Sequence, residues 1–124
     1  MKIFSLIVTY NPDIDRLYKL KATLLKSGSE VIIIDNTGNS SNNLFKDFLD
    51  CKIILQDINK GLAYAQNIGV KYALNKLADV IILFDQDAYV NDNYLSVLLN
   101  SMKIDKPMVL GACIIDENTN EEIS

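Results

Sequence analysis

The sequence predicts an α/β fold built on a mainly parallel sheet. Three observations lead there. Short unbroken runs of Val, Ile and Leu recur along the chain, which is how strands buried on both faces read. These runs alternate with stretches of helical periodicity, the pattern of strand–helix–strand units. Nothing between them reads as a tight hairpin and no internal repeat is present, so the strands are expected to be joined by right-handed crossovers.

The elements follow in chain order. Ile3 to Thr9 (IFSLIVT) is a first strand. Tyr10-Asn11-Pro12 ends it, because proline cannot donate to a ladder and restricts the residue before it. Asp13 or Asp15 caps a helix over about Ile14 to Lys26, with Leu17, Leu20 and Leu24 on one face. Gly28 suits its C-terminal end. Glu30 to Ile34 is a second strand, followed by a polar loop from Asp35 to Asn43. Leu44 to Leu49 suits a short helix, and Lys52 to Leu55 a third strand. After the Asn59-Lys60-Gly61 turn, a helix runs from about Leu62 to Asn75, packing through Leu62, Ala65, Gly69 and Tyr72. Val80 to Phe84 is a fourth strand. Asn91 or Asp92 caps a helix from about Asn93 to Met102, buried through Leu95, Leu98 and Leu99. Lys106-Pro107 breaks the chain again, and Met108 to Ile115 is a fifth strand. The acidic stretch 116–124 reads as a flexible tail.

Composition narrows the function. A length of 124 residues suits a single domain over 1–124 that can bury a core. The net charge is −4 and no basic cluster occurs, which argues against a nucleic-acid grip. No apolar run approaches a membrane span, and the first residues lack the features of a signal peptide. Cys51 and Cys113 sit in or beside apolar runs and read as buried thiols in a reducing compartment. With no histidine, acid–base chemistry falls to carboxylates, tyrosine or lysine.

The strand ends carry the candidate chemistry. In a parallel sheet all C-terminal ends share one edge, where ligands bind. Strand one ends in Thr9-Tyr10-Asn11, strand two in Asp35-Asn36, and the third leads to Asn59-Lys60-Gly61. The fourth ends in Asp85-Gln86-Asp87, paired carboxylates that a Mg²⁺ or Mn²⁺ ion would relieve of their mutual repulsion. Alone, that pair also fits a solvated acidic turn. Asp35 fits either a base or ribose contact or an Asx turn. Tyr10 fits either stacking or a cover over the sheet end. Lys60 fits a phosphate contact or a solvated loop, and Asn67 a bond to loop backbone in mid-helix. No Gly-rich phosphate cradle is present, so a metal is the simplest means of holding phosphate.

Val8-Thr9-Tyr10-Asn11-Pro12, Ile34-Asp35-Asn36-Thr37, the run from Asn59 to Gly69 and Leu83-Phe84-Asp85-Gln86-Asp87 together resemble family 2 inverting glycosyltransferases, in order and in spacing. The Asp-Gln-Asp form looks closest to rhamnosyltransferase-like bacterial members, and the resemblance covers about residues 3 to 115. It implies a GT-A, Rossmann-like three-layer sandwich, cut short after the fifth strand. It further implies that Thr9, Tyr10, Asn11, Asp35, Asn36, Lys60, Asn67, Asp85 and Gln86 bind a nucleoside-diphosphate sugar, dTDP- or UDP-linked. Asp87, with Asp85, would bind Mg²⁺ or Mn²⁺. The sugar, which the motif variant points to as rhamnose, would pass with inversion to a glycan or lipid-linked acceptor.

The sequence departs from that family in two places. The later carboxylate that serves as general base has no counterpart before Ser124, and Asp116, Glu117, Glu121 and Glu122 read as solvated. Gln66 stands where many members carry arginine. The expectation is a donor-binding part of a larger polysaccharide-biosynthesis enzyme, inactive by itself, acting in the cytoplasm or peripherally at the inner membrane face. Two other readings remain: a non-catalytic nucleotide-binding module of the same fold, and a flavodoxin- or receiver-like signalling domain.

Overall fold

A computed structural model describes residues 1–38, 43–102, 106–111, 114–115 and 122–123. Strand β1 (Ile3–Thr9) leads through helix α1 (Ile14–Lys26) to β2 (Glu30–Asp35). Then come β3 (Lys52–Leu55), α2 (Leu62–Asn75), β4 (Val80–Asp85), α3 (Tyr94–Asn100) and β5 (Met108–Gly111). The five strands form one sheet in the order β3-β2-β1-β4-β5. Every neighbouring pair is parallel. The predicted α/β class with a parallel sheet is therefore what the chain adopts.

Alternation along the strands splits the core in two. Ile3, Ile7, Val31, Ile33, Val80, Ile82 and Phe84 face α1 and α3, where they meet Leu17, Leu20, Leu24 and Leu95. Phe4, Leu6, Ile32, Ile34 and Ile81 face α2 and meet Ala65 and Ala73. The result is three layers. α2 sits close because Gly69 has no side chain: a Cβ there would fall 2.7 Å from Ile34 Cδ1 and closer still to Leu6 Cδ1. Asp13 caps α1, its carboxylate accepting from the Arg16 N–H at 3.2 Å.

The structure corrects several expectations. Residues 44–49 form turns instead of a helix, closed by Phe48 N–H donating to Phe45 C=O at 3.0 Å. Six residues are too few to sustain a nucleus, and the burial of Phe45 and Phe48 sets their path instead. Leu62 leaves the packed face of α2 and is 60% exposed, and Ala73 is buried in its stead. Neither Asn91 nor Asp92 caps α3; Asn93 precedes it without a side-chain cap. The fifth strand stops at Gly111, and β6 (Ile114–Ile115) pairs antiparallel with β7 (Glu122–Ile123) instead. α1 and α3 share one face although β1→β2 and β4→β5 step in opposite directions across the sheet. Those two crossovers therefore differ in hand, so uniform right-handedness does not hold. Cys113 and most of the expected tail lie outside the described residues.

Candidate functional site

The strand order places a topological switch point between β1 and β4. From β1 the chain steps outward to β2 and β3 on one side, and from β4 to β5 on the other. The strand order reverses there, and in open α/β sheets the crevice at the carboxyl ends lies at such a point. A cavity of about 530 Å³ occupies that place. Thr9, Tyr10, Asn36, Asp85, Gln86 and Asp87 line it, so the ends of β1, β2 and β4 converge as expected.

The floor is a hydrogen-bond knot centred on Asp35. This carboxylate is fully buried. Its Oδ1 accepts from Thr9 Oγ1 at 2.7 Å and from Thr37 Oγ1 at 2.8 Å, and its Oδ2 accepts from the Thr37 N–H at 3.2 Å. The Thr37 hydroxyl also accepts from the Asn11 N–H at 2.9 Å. Asp35, which the resemblance places against the base, here binds the ends of β1 and β2 together beneath the cavity. Its bond to Thr37 N–H is the Asx-type alternative. Asn36 stands above it. Its Nδ2 donates to Gly61 C=O at 3.4 Å, and its buried Oδ1 has no partner among the described residues.

The mouth is acidic. Asp85 and Asp87 are both exposed, and the Asp87 N–H donates to Asp85 Oδ1 at 3.1 Å, which curls the turn so that both carboxylates belong to one rim. Among the described residues no group of three or more metal-binding side chains occurs. Two hard oxygen ligands without a third protein ligand suit a Mg²⁺ or Mn²⁺ ion that completes its shell with water and a bound diphosphate. They do not suit a metal held by protein alone.

Four predicted residues stay outside the cavity lining: Asn11 and Asp35, which belong to the knot beneath it, and Lys60 and Asn67. Lys60 lies over the Tyr64 ring, its ammonium 5.1 Å from the centroid. Asn67 is exposed on α2. Conversely, Asn59, Leu62 and Gln66 line the cavity without having been singled out as ligand contacts. Asn59 Oδ1 accepts from Gly61 N–H at 2.8 Å, shaping the turn into α2. Their signal was the run from Asn59 to Gly69, but its spacing alone does not say which side chains turn inward.

The family model of glycosyl transferase family 2 matches residues 5–123. The chain belongs to this family. It is 33% identical over 117 residues to the dTDP-rhamnosyl transferase RfbF of Shigella flexneri, a match covering 94% of this chain and 40% of that protein. The chain thus spans well under half the length of this curated relative. Its fold is similar to that of S. aureus TarS, both in residues 1–349 of that protein and in a longer form. The TM-score is 0.62 at 22% identity in each, covering 81% of this chain and 32% or 19% of the other. The GT-A-like fold expected from the sequence is the one observed. In this chain the cavity at the switch point is where the four quoted motifs meet.

Proposed function

We propose that this chain is the donor-binding part of a metal-dependent rhamnosyltransferase that uses a dTDP-linked sugar. One observation carries the reading. Asp85 and Asp87 stand together at the mouth of the switch-point cavity, opposite Thr9, Tyr10 and Asn36. The RfbF relative's name supports dTDP-rhamnose as the donor.

In this reading the nucleoside lies in the cavity, with Tyr10 as one wall. The unpartnered Asn36 Oδ1 accepts a hydrogen bond from the ligand, which relieves a buried acceptor that would otherwise be costly. The diphosphate lies toward Asp85 and Asp87. A bound Mg²⁺ or Mn²⁺ would neutralise the charge that grows on the departing nucleoside diphosphate. An acceptor hydroxyl attacks the anomeric carbon opposite the leaving group: the new carbon–oxygen bond forms as the bond to phosphate breaks, and the configuration inverts. Both mouth carboxylates are committed to the donor in this reading, and the match covers 40% of the RfbF relative, which supports a base contributed by a part of the enzyme other than this chain. The chain alone then binds donor and turns over little. No helix among the described residues is long and apolar enough to cross a membrane. The acceptor in this proposal is a glycan or a lipid-linked glycan.

Thermal melting with nucleoside diphosphates tests the reading. dTDP with Mn²⁺ at a hundredfold excess over Kd should raise the melting temperature by about 10 °C. Asp87→Ala should abolish the rise. No rise with any nucleoside diphosphate in the presence of Mn²⁺ would overturn the proposal.

A further inference from the structure

Gln86 sits between the two carboxylates, yet its own amide is already engaged. The Tyr10 N–H donates to Gln86 Oε1 at 2.7 Å, and Gln86 Nε2 donates to Tyr10 C=O at 3.2 Å. Both polar groups of one backbone residue are thus held by one side chain. The orientation of that amide follows from the bonds themselves, since a backbone N–H can only donate and a C=O can only accept. The regular β1–β4 register ends with Val8 opposite Asp85. Beyond it, at the switch point, the backbones part and no further ladder bond ties Tyr10 to β4. The Gln86 amide supplies that tie. On its other side the turn is braced by Arg16, whose Nη2 donates to Asp87 C=O at 3.3 Å. The Asx bond from Asp87 N–H to Asp85 closes the turn from within.

We propose that Gln86 is a positioning residue and not a donor contact. It sets the distance between the Tyr10 wall of the cavity and the Asp85–Asp87 pair, and so presets the carboxylates for a divalent cation carrying a nucleoside diphosphate. The chemistry explains the residue type. The link needs a donor and an acceptor on one planar group, long enough to cross the parted strands. Glutamate loses the donor, asparagine falls short by a methylene, and methionine keeps the length without either function. This inference rests on the donor-binding reading of the same cavity.

The test compares the wild-type chain with Gln86→Met and Gln86→Glu. Three quantities are read: hydrogen exchange of the Tyr10 amide by NMR, and dTDP affinity with Mn²⁺ and with EDTA. Gln86→Met should speed Tyr10 exchange and weaken dTDP binding about tenfold with Mn²⁺, while affinity in EDTA stays unchanged. Gln86→Glu keeps the acceptor, so the Tyr10 amide should stay protected. An equal loss with Mn²⁺ and with EDTA would show that Gln86 acts on the nucleoside side of the cavity and not on the carboxylate pair, and would overturn the inference alone. So would unchanged Tyr10 exchange or unchanged Mn²⁺-dependent affinity in Gln86→Met. A wild-type chain that binds no dTDP under any condition overturns the donor-binding reading, and this inference with it.

Discussion

Thr9 and Asp35 are joined by a 2.7 Å hydrogen bond, from hydroxyl to carboxylate, with both side chains buried at the carboxyl ends of adjacent strands. The two residues are also register partners in the β1–β2 ladder. A charged acceptor buried with three donors around it is an all-or-none arrangement: satisfied it orders the floor, and half-satisfied it costs more than an apolar pair.

Thr9→Val should therefore destabilise the chain by about 2 kcal/mol, because it removes a donor and leaves the carboxylate short of a partner. Asp35→Ala should cost at least as much, since it strands the buried Thr9 hydroxyl and removes both bonds that Thr37 makes to the carboxylate. Urea unfolding measures both. A Thr9→Val variant as stable as wild type would show that the knot contributes nothing to the fold.

Gly69→Ala sets helix propensity against packing. Alanine gains about 1 kcal/mol in a helix interior. The added Cβ would meet Leu6 and Ile34, both buried beneath α2. Overpacking of this kind costs about 1–3 kcal/mol, and the neighbours are core side chains with little room to yield. The net effect should be a lower melting temperature, read by calorimetry.

Lys21 is buried on α1, with its ammonium 3.0 Å from Asp50 Oδ1 and 3.8 Å from the centroid of the Tyr18 ring. Asp50 itself is largely exposed. Removing the carboxylate leaves a buried cation with only aromatic faces for company, whereas removing the cation leaves a carboxylate that water can reach. Asp50→Ala should thus cost about 2 kcal/mol, and Lys21→Met, which keeps the stem packed, markedly less. Chemical denaturation of the two variants gives the order, and the reverse order would refute the asymmetry.

Burial pushes the Cys51 thiol up to about 11 from an ordinary 9.0, with the nearby Asp50 carboxylate adding to the shift and Lys21 opposing it. The folded chain holds this proton more tightly than the unfolded one. Its contribution to stability is therefore complete below about pH 9 and lost as pH rises toward 11. Alkylation at Cys51, located by mass spectrometry, should be slow at pH 8 and should accelerate above pH 10.

The strands and the site loops were legible in the sequence for one reason. Runs such as VIIL and EVIII are apolar on both faces, which only a parallel sheet covered on both sides accommodates. Their ends then had to share an edge, so Thr9-Tyr10, Asp35-Asn36 and Asp85-Gln86-Asp87 were bound to meet. Local pattern failed where burial overruled it. Phe45 and Phe48 read as helical but anchor turns, and Leu62 reads as core but stands exposed at the cavity rim.

What the sequence by itself determined is the class of fold, the converging edge and the carboxylate pair on it, because periodicity and strand-end composition are local properties. Which polar residue faces the cavity and which supports it was decided only by the tertiary structure. Asp35 turned inward to Thr9 and Thr37, and Gln86 turned across to Tyr10. Hydrogen-bond partners 26 and 76 positions apart along the chain are not encoded in any local spacing. They exist only once β1 lies between β2 and β4.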